Sequence, residues 1–509
     1  MAETNLYFSR DTKLYLGKGA FFWEIPVLDG FSFNQSTNTS EVTLSEMVSS
    51  TGTSRRGRKI FTDSYAPAEW SFSTYVRPFA TTATALGANT VVSIHAVEEA
   101  LWANMIGLGT YAARPSAVGA NIPYPGFTTA ADSSQVAFTE SNKSSLGEMD
   151  LYFVMGGSSQ SIHTTTLGAV ATATDTITLA VATDQIEPGD VVIIGDQTND
   201  GSAITVKTVT STTEIVLSDP ITATNASAIT FSRAVCYKLE KAVVNEASID
   251  FDIDGIATIN WSGMANIIKE TVSPVVNTAA STTTAAAAAA NVSIITVTNN
   301  TGITVGDILT STNDSSAIVT AISTNTITLS KNVTFANGSQ LIFTGNLCNE
   351  GAFKTDNFIR NRLTSLACVS TLPTADTYTM TLTGGNITIS NNLTFLTPET
   401  IGVVSQPFAH VTGTRTVGGN FTCYLTTGDN GSAELFDTLL GATTTITNKF
   451  DLEFNIGGTT GPRLQAKMSN CHLELPSHNI DDVIALETNF HALPSTIGGT
   501  DEIVLTYAV

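Results

Sequence analysis

Most of the chain alternates apolar and polar positions with a period of two. Ile177 and Leu179 alternate with Thr176 and Thr178, Thr326 to Leu329 repeats the pattern, and Leu151, Phe153 and Met155 share one face of another run. Thr, Val and Ile are branched at Cβ and suit a pleated, half-buried surface, so these runs predict strands. Gly384-Gly385, Asn430-Gly431 and Gly457-Gly458 punctuate them as turns do. A helical period surfaces in two places. Val97, Leu101 and Met105 recur every four residues with Trp102 beside them, and Ala433–Leu440 sets Leu435, Phe436, Leu439 and Leu440 on one face. Gly107 and Gly441 are placed to stop these helices. The expectation is a mainly-β chain with one helix in each half.

The two halves repeat one another in order. Met149-Asp-Leu-Tyr-Phe-Val-Met-Gly-Gly157 matches Phe450-Asp-Leu-Glu-Phe-Asn-Ile-Gly-Gly458 at Asp, Leu, Phe and both glycines. Ahead of it, Leu101-Trp102 through Gly107 matches Leu435-Phe436 through Gly441, and Phe72…Tyr75 matches Phe421…Tyr424. A weaker block sets Ile249–Trp261 against Leu473–Phe490. Such ordered likeness predicts a duplication. Gly157 and Lys238 stand 81 positions apart, whereas Gly458 and Arg463 stand 5 apart, so one hairpin loop carries about 76 extra residues. A loop that long without structure of its own is improbable. It contains Ile186-Glu-Pro-Gly-Asp190, Ser202-Ala-Ile204, Ile215-Val-Leu217 and Ser227-Ala-Ile-Thr-Phe231. A second copy follows as Ile303-Thr-Val-Gly-Asp307, Ser316-Ala-Ile318, Ile327-Thr-Leu329 and Ser339-Gln-Leu-Ile-Phe343, preceded by a Thr/Ala stretch at 277–290 that reads as a linker. Four units are expected: a discontinuous first domain at 1–158 and 232–276, an inserted β module at 159–231, a second module at 286–345 and a second large domain at 346–509.

Composition narrows the function. The chain has 509 residues, enough for three or four units of ordinary size. Asp and Glu number 45 against 23 Lys and Arg, for a net charge of -22. A surface that acidic repels phosphate, which argues against a nucleic-acid binder. With 42% hydrophobic residues the chain can bury large cores, so it is not a disordered acidic tail. Cysteines at 236, 348, 368, 423 and 471 are too sparse for a disulfide framework and read as reduced thiols of a chain made in a cytosol. The N-terminal stretch lacks a basic-then-apolar export pattern, and no run of 18 apolar residues predicts a membrane helix.

Candidate chemistry is thin. His95-Ala-Val-Glu98 has no second His one turn away, there is no CxxC, no GxSxG elbow and no phosphate-binding glycine loop, so neither catalysis nor a cofactor is expected. Asp250-Phe-Asp-Ile-Asp-Gly255 opens like a calcium loop, but position twelve is Trp261 where a bidentate acid is needed. A strand with Ile249, Phe251 and Ile253 inward and Asp250, Asp252 and Asp254 outward explains the alternation better. Ser54-Arg-Arg-Gly-Arg-Lys59 is the one basic cluster. Arg55, Arg56, Arg58 and Lys59 could clamp phosphate or sit in a solvated loop, but on an acidic body they suit docking against an acidic copy of the same chain.

Several strings resemble bacteriophage tail tube proteins: Leu14-Tyr-Leu, Trp23-Glu-Ile-Pro-Val-Leu-Asp-Gly30, Ala68-Glu-Trp-Ser-Phe-Ser-Thr-Tyr75, Phe358-Ile-Arg-Asn-Arg-Leu363, Leu396-Thr-Pro-Glu-Thr400, His410-Val-Thr-Gly-Thr-Arg415 and Pro476-Ser-His-Asn-Ile-Asp-Asp482. The resemblance covers the two large halves and not the small modules. It implies β-sandwich domains, each with one flanking helix, whose inner sheets join around stacked rings to enclose a channel for DNA. Two such domains in one chain resemble the fused pair of some long-tailed, non-contractile phages and imply homotrimeric rings with pseudo-sixfold symmetry. Implied partners are further copies of the chain, a tape-measure protein and tail terminator or tip proteins, in the virion tail after synthesis in the host cytoplasm. DNA would pass without specific binding, and no membrane is involved. The aspartates at 250, 252 and 254 would line the channel, Arg55, Arg56, Arg58 and Lys59 would meet another subunit, and the small modules would decorate the outside. A multidomain β-sandwich surface protein, of adhesin or S-layer type, is the competing class.

Overall fold

The computed structural model describes residues 9–18, 21–42, 58–84, 90–106, 127–128, 133–138, 146–155, 161–182, 184–194, 204–271, 274, 280–285, 291–300, 303, 307–310, 317–344, 347, 355–373, 375–398, 404–441, 447–480 and 482–509. Among the described residues strands make up 61% and helix 6%, so the chain is mainly β, with large antiparallel sheets.

In the first half, Thr12–Lys18 lies between Phe21–Ile25 and Met149–Met155, with Leu16 opposite both Trp23 and Leu151. Met149–Met155 then pairs with the long strand Val235–Asp252. That strand serves two sheets. Its beginning also pairs with Ile267–Thr271, and its end pairs with Thr258–Ala265, which pairs in turn with Ala68–Tyr75. The second half is wired alike. Ser365–Leu372 lies between Asp376–Thr379 and Lys449–Ile456. Lys449–Ile456 pairs with Arg463–Leu473, whose beginning pairs with Val504–Ala508 and whose end pairs with Ile484–Ala492. Ile484–Ala492 pairs with Thr416–Tyr424. Both halves break register at matching places, between Met149 and Leu151 and between Phe450 and Leu452. An extra residue there bends and twists the strand, which is how one strand can leave one layer and enter the next.

Two strand pairings join the halves among the described residues. Val235–Asp252 pairs with Leu382–Ser390, with Ile249 opposite Ile387, and Ser134–Ala137 pairs with Val504–Ala508, with Val136 opposite Leu505. Alternating apolar residues from both halves merge into one core. Trp102 and Trp261 meet edge to face at 4.7 Å, and Phe251 of the first half lies 5.4 Å from Phe454 of the second. Both helices form where expected, with different surroundings. Glu99–Ile106 is buried at every residue, whereas Ser432–Gly441 is buried only at Ser432 and Leu435. Gly441 belongs to the last turn of its helix rather than following it, and Gly107 lies outside the described residues.

Each small module has a six-stranded sheet and its own hydrophobic cluster. The strand order is the same in both, running first, sixth, third, fourth, fifth, second in chain order. The stretch expected as a linker is partly strand: Ala280–Thr283 pairs with Gln340–Phe343. Its threonines are strand formers, and an open sheet edge recruits them. The modules also touch one another. Asn300 Nδ2 donates to the Ala173 carbonyl at 3.2 Å, and Lys207 lies 3.9 Å from the Asp307 carboxylate.

Candidate functional site

The seam between the halves creates a continuous polar face. Ala68–Tyr75, Thr258–Ala265, the end of Val235–Asp252, Leu382–Ser390, Thr416–Tyr424 and Ile484–Ala492 are consecutive neighbours. Side chains alternate along each strand, so those opposite the core share one surface. That surface carries Glu69, Ser71, Ser73, Asn260, Ser262, Glu246, Ser248, Asp250, Asp252, Asn386, Thr388, Asn420, Thr422, Glu487 and Asn489, together with Tyr75, Met264, Tyr424 and His491, the last paired with Glu474 at 3.0 Å. None of the outward positions of these six strands is Lys or Arg.

Neutral groups satisfy the carboxylates there. Ser248 Oγ donates to Asp250 Oδ1 at 3.3 Å, and the Asn260 amide donates to Asp250 Oδ2. Asn420 Nδ2 donates to Glu487 Oε1 at 3.2 Å. Burial, with a contribution from the Asp252 charge, pushes the Asp250 carboxyl above the usual range. Asp250, Asp252, Glu487 and the backbone of Gly384-Gly385 border a shallow groove.

The predicted aspartate trio separates. Asp250 and Asp252 lie on this face, with Ile249 and Phe251 buried behind them as expected. Asp254 does not join them. The strand ends at Asp252, so residues 253 and 254 fall in a turn where the alternation stops. Asp254 faces Arg362 at 3.6 Å, and Ile253 is 44% exposed rather than in the core.

Of the basic cluster, Arg55 and Arg56 lie outside the described residues. Arg58 and Lys59 stand on a two-stranded ribbon made of Thr37–Val42 and Lys59–Tyr65. Arg58 pairs with Glu41 of the same ribbon at 3.2 Å, and Lys59 lies 5.4 Å over the Phe61 ring. Ile60 and Phe61 are 52% and 46% exposed. Tyr65 N–H donates to the Ser405 carbonyl at 2.9 Å, which anchors the ribbon base to the second half.

Sequence reasoning missed a buried polar network. Trp102 Nε1 donates to Tyr507 Oη at 2.7 Å, and Tyr507 Oη donates to Glu98 Oε1 at 2.7 Å. Burial raises the Glu98 carboxyl to about 7, against the opposing effects of the Tyr507 hydrogen bond and the Arg77 charge. His95 pairs with Glu99 at 2.8 Å instead of with Glu98. Adjacent acids opening an apolar helix were the available signal. Their partner lies 409 positions away, beyond any spacing rule.

No protein-family model matches the chain. A stretch of 149 residues is 32% identical to the tail tube protein pb6 of Escherichia phage T5. The match takes in 29% of this chain and 32% of that protein, so it spans about a third of the relative's length.

Proposed function

We propose that the chain is a structural subunit of a phage tail tube, with the polar face lining a channel for DNA. One observation carries this reading: a six-stranded face that crosses both halves holds carboxylates, amides and hydroxyls but neither Lys nor Arg. Such a wall repels phosphate and offers it no Lys or Arg to bind, so a duplex can slide past. Similarity to pb6 supports the same reading. Matching wiring and matching bulges support a duplicated tube domain. With two such domains per chain, three chains close a pseudo-sixfold ring. The fused pair suits a long, non-contractile tail. Tape-measure and terminator or tip proteins are the further partners, and the chain has no catalytic role. Asp250 and Asp252 face the lumen. The ribbon bearing Arg58 and Lys59 reaches another subunit in the stack, where Arg55 and Arg56 join the contact. The paired modules sit outside, because a body of about 60 residues, well over about 20 Å across, would obstruct the channel.

Electron microscopy of the purified chain tests this. Tubes of stacked rings with three chains per ring are expected. Sheets or isolated rods would favour a surface-layer protein, and six chains per ring would overturn the trimer. Replacing Arg55, Arg56, Arg58 and Lys59 together by Ser should leave the monomer folded and impair stacking, and high salt should act in the same direction.

A further inference from the structure

We propose that the edge strand Ser477–Ile480 pairs with Ser32–Asn34 of a second copy of this chain, repeating between subunits the seam that joins the two halves within one. The inference rests on the ring reading and adds which edges meet and in what register.

The internal seam supplies the template. There Phe251 stands opposite Gly385 and Ile249 opposite Ile387. Phe251 is 2% exposed, reaches the Phe454 ring at 5.4 Å, and lies 3.0 Å from where a Cβ on Gly385 would be. Glycine on the second strand thus makes room for phenylalanine on the first.

Pairings across the sheet identify the counterparts. Thr74 opposes Ile259, which opposes Ile249. Cys423, the counterpart of Thr74, opposes Leu486, which opposes His478. His478 therefore holds the place of Ile249, and Ile480 that of Phe251. On the other side, Trp70 opposes Phe33 as Gly419 opposes Ile387. Phe33 holds the place of Ile387, and Phe31 that of Gly385. Carried to the outer edges, the template sets His478 opposite Phe33, Asn479 opposite Ser32 and Ile480 opposite Phe31.

Three features of the outer edges fit that register. Among the described residues, Ser477–Ile480 pairs only with Ile484–Ala492, and Ser32–Asn34 only with Ala68–Tyr75. Ile480 is 75% exposed, with Leu475 at 51% and Val483 at 59%, an aliphatic edge that a free chain would not leave open. The aromatic changes sides: inside the chain phenylalanine on the first strand meets glycine on the second, and outside isoleucine on the first would meet phenylalanine on the second. Phe31 lies 5.6 Å from Phe153, and Phe153 matches Phe454, so Phe31 takes from the second strand the place that Phe251 takes from the first, and Ile480 would cover it. The helices agree independently. Closure of the internal seam covers Glu99–Ile106, where Asn391 Nδ2 donates to the Met105 carbonyl at 3.1 Å. Its counterpart Ser432–Gly441 lies open, with Leu440 57% exposed.

A double variant, Ser32→Cys with Asn479→Cys, tests the register. Directly opposed cross-strand Cβ atoms lie about 4.5–5.5 Å apart, close enough for oxidation to bridge them. Under copper-phenanthroline the double variant should give covalent dimer and trimer on a non-reducing gel, while each single variant stays monomeric. Rings seen by microscopy without that ladder would overturn the seam and leave the ring reading standing. A ladder without rings would uphold the seam and count against the ring. Neither rings nor ladder would overturn both. Ile480→Asp, which would bury an unpaired charge at the seam, should keep the monomer's Tm and cut the assembled fraction at least about tenfold. Undiminished assembly of that variant would also overturn the seam.

Discussion

The two helices hold the same place in the order strand, helix, strand, yet one is buried along its whole length and the other lies largely open. The apolar stripes are alike, Leu435, Phe436, Leu439 and Leu440 against Val97, Leu101 and Met105. The opposite faces differ, with Glu434 and Asp437 where the first helix has Ala100 and Ala103. The neighbours differ as well. Asn391 and Tyr507 of the second half close over Glu99–Ile106, whereas Ser432–Gly441 meets Tyr378 and His478 and keeps only Ser432 and Leu435 buried. The strand edges show the same contrast. Val235–Asp252 is covered by Leu382–Ser390, while Ser477–Ile480 is exposed at every residue. Burial belongs to a pair of surfaces, so two like elements diverge when only one has its partner.

Substitutions that separate the helices sharpen this comparison. The largest effect is expected at Trp102, fully buried against Trp261 and bonded to Tyr507. Trp102→Ala should cost about 3–5 kcal/mol in urea unfolding of the monomer. A cost below 1 kcal/mol, on the order of a surface substitution, would mean the first helix is not the buried one.

Next comes the pH response of Glu98. Its folded carboxyl titrates near about 7, above the ordinary 4.5, because burial favours the neutral form. The stability held by that neutral form is complete below pH 4.5 or so and is lost as pH rises through about 7. The difference amounts to about 3 kcal/mol at neutral to alkaline pH. Glu98→Gln stays uncharged, so unfolding curves between about pH 4.5 and 8 should flatten relative to the parent chain. Parallel pH profiles for the two proteins would contradict the assignment.

A smaller loss, about 1–3 kcal/mol, is expected for Tyr507→Phe, which leaves Glu98 and Trp102 without their shared hydroxyl. At the low end, Leu440→Ser should change monomer stability by less than about 0.5 kcal/mol while weakening assembly. If it destabilised the monomer as much as Trp102→Ala, the two helices would not differ and the comparison would fail.

Much of the architecture was legible as local pattern. Period-two runs gave strands, and both helices emerged from a period of four. The Asp-Leu-x-Phe strings in the two halves fell on strands with the same pairing and the same bulge. Failures came where the pattern ends. The alternation Ile249 to Asp254 was carried two residues too far, because side-chain parity holds only while the strand lasts and it stops at Asp252. Residues 280–283 read as linker since Ala280, Ser281, Thr282 and Thr283 carry no burial signal until Gln340–Phe343 lies beside them. The basic cluster was legible as charge, whereas its two-stranded ribbon depends on the pairing of Glu41 and its neighbours with Lys59–Tyr65.

By itself the sequence determined which segments are strands, which ordered strings recur in the two halves, and the excess of carboxylates, since these follow from side-chain shape, alternation and charge within a few residues. Only the tertiary structure decided that acids and amides from six strands share one face without a Lys or Arg, that Tyr507 reaches Glu98, and that Ile480 stands where Phe251 is covered. Those facts depend on register between segments hundreds of residues apart. A shift of one residue in such a pairing turns every side chain to the opposite face, and no local rule sets it.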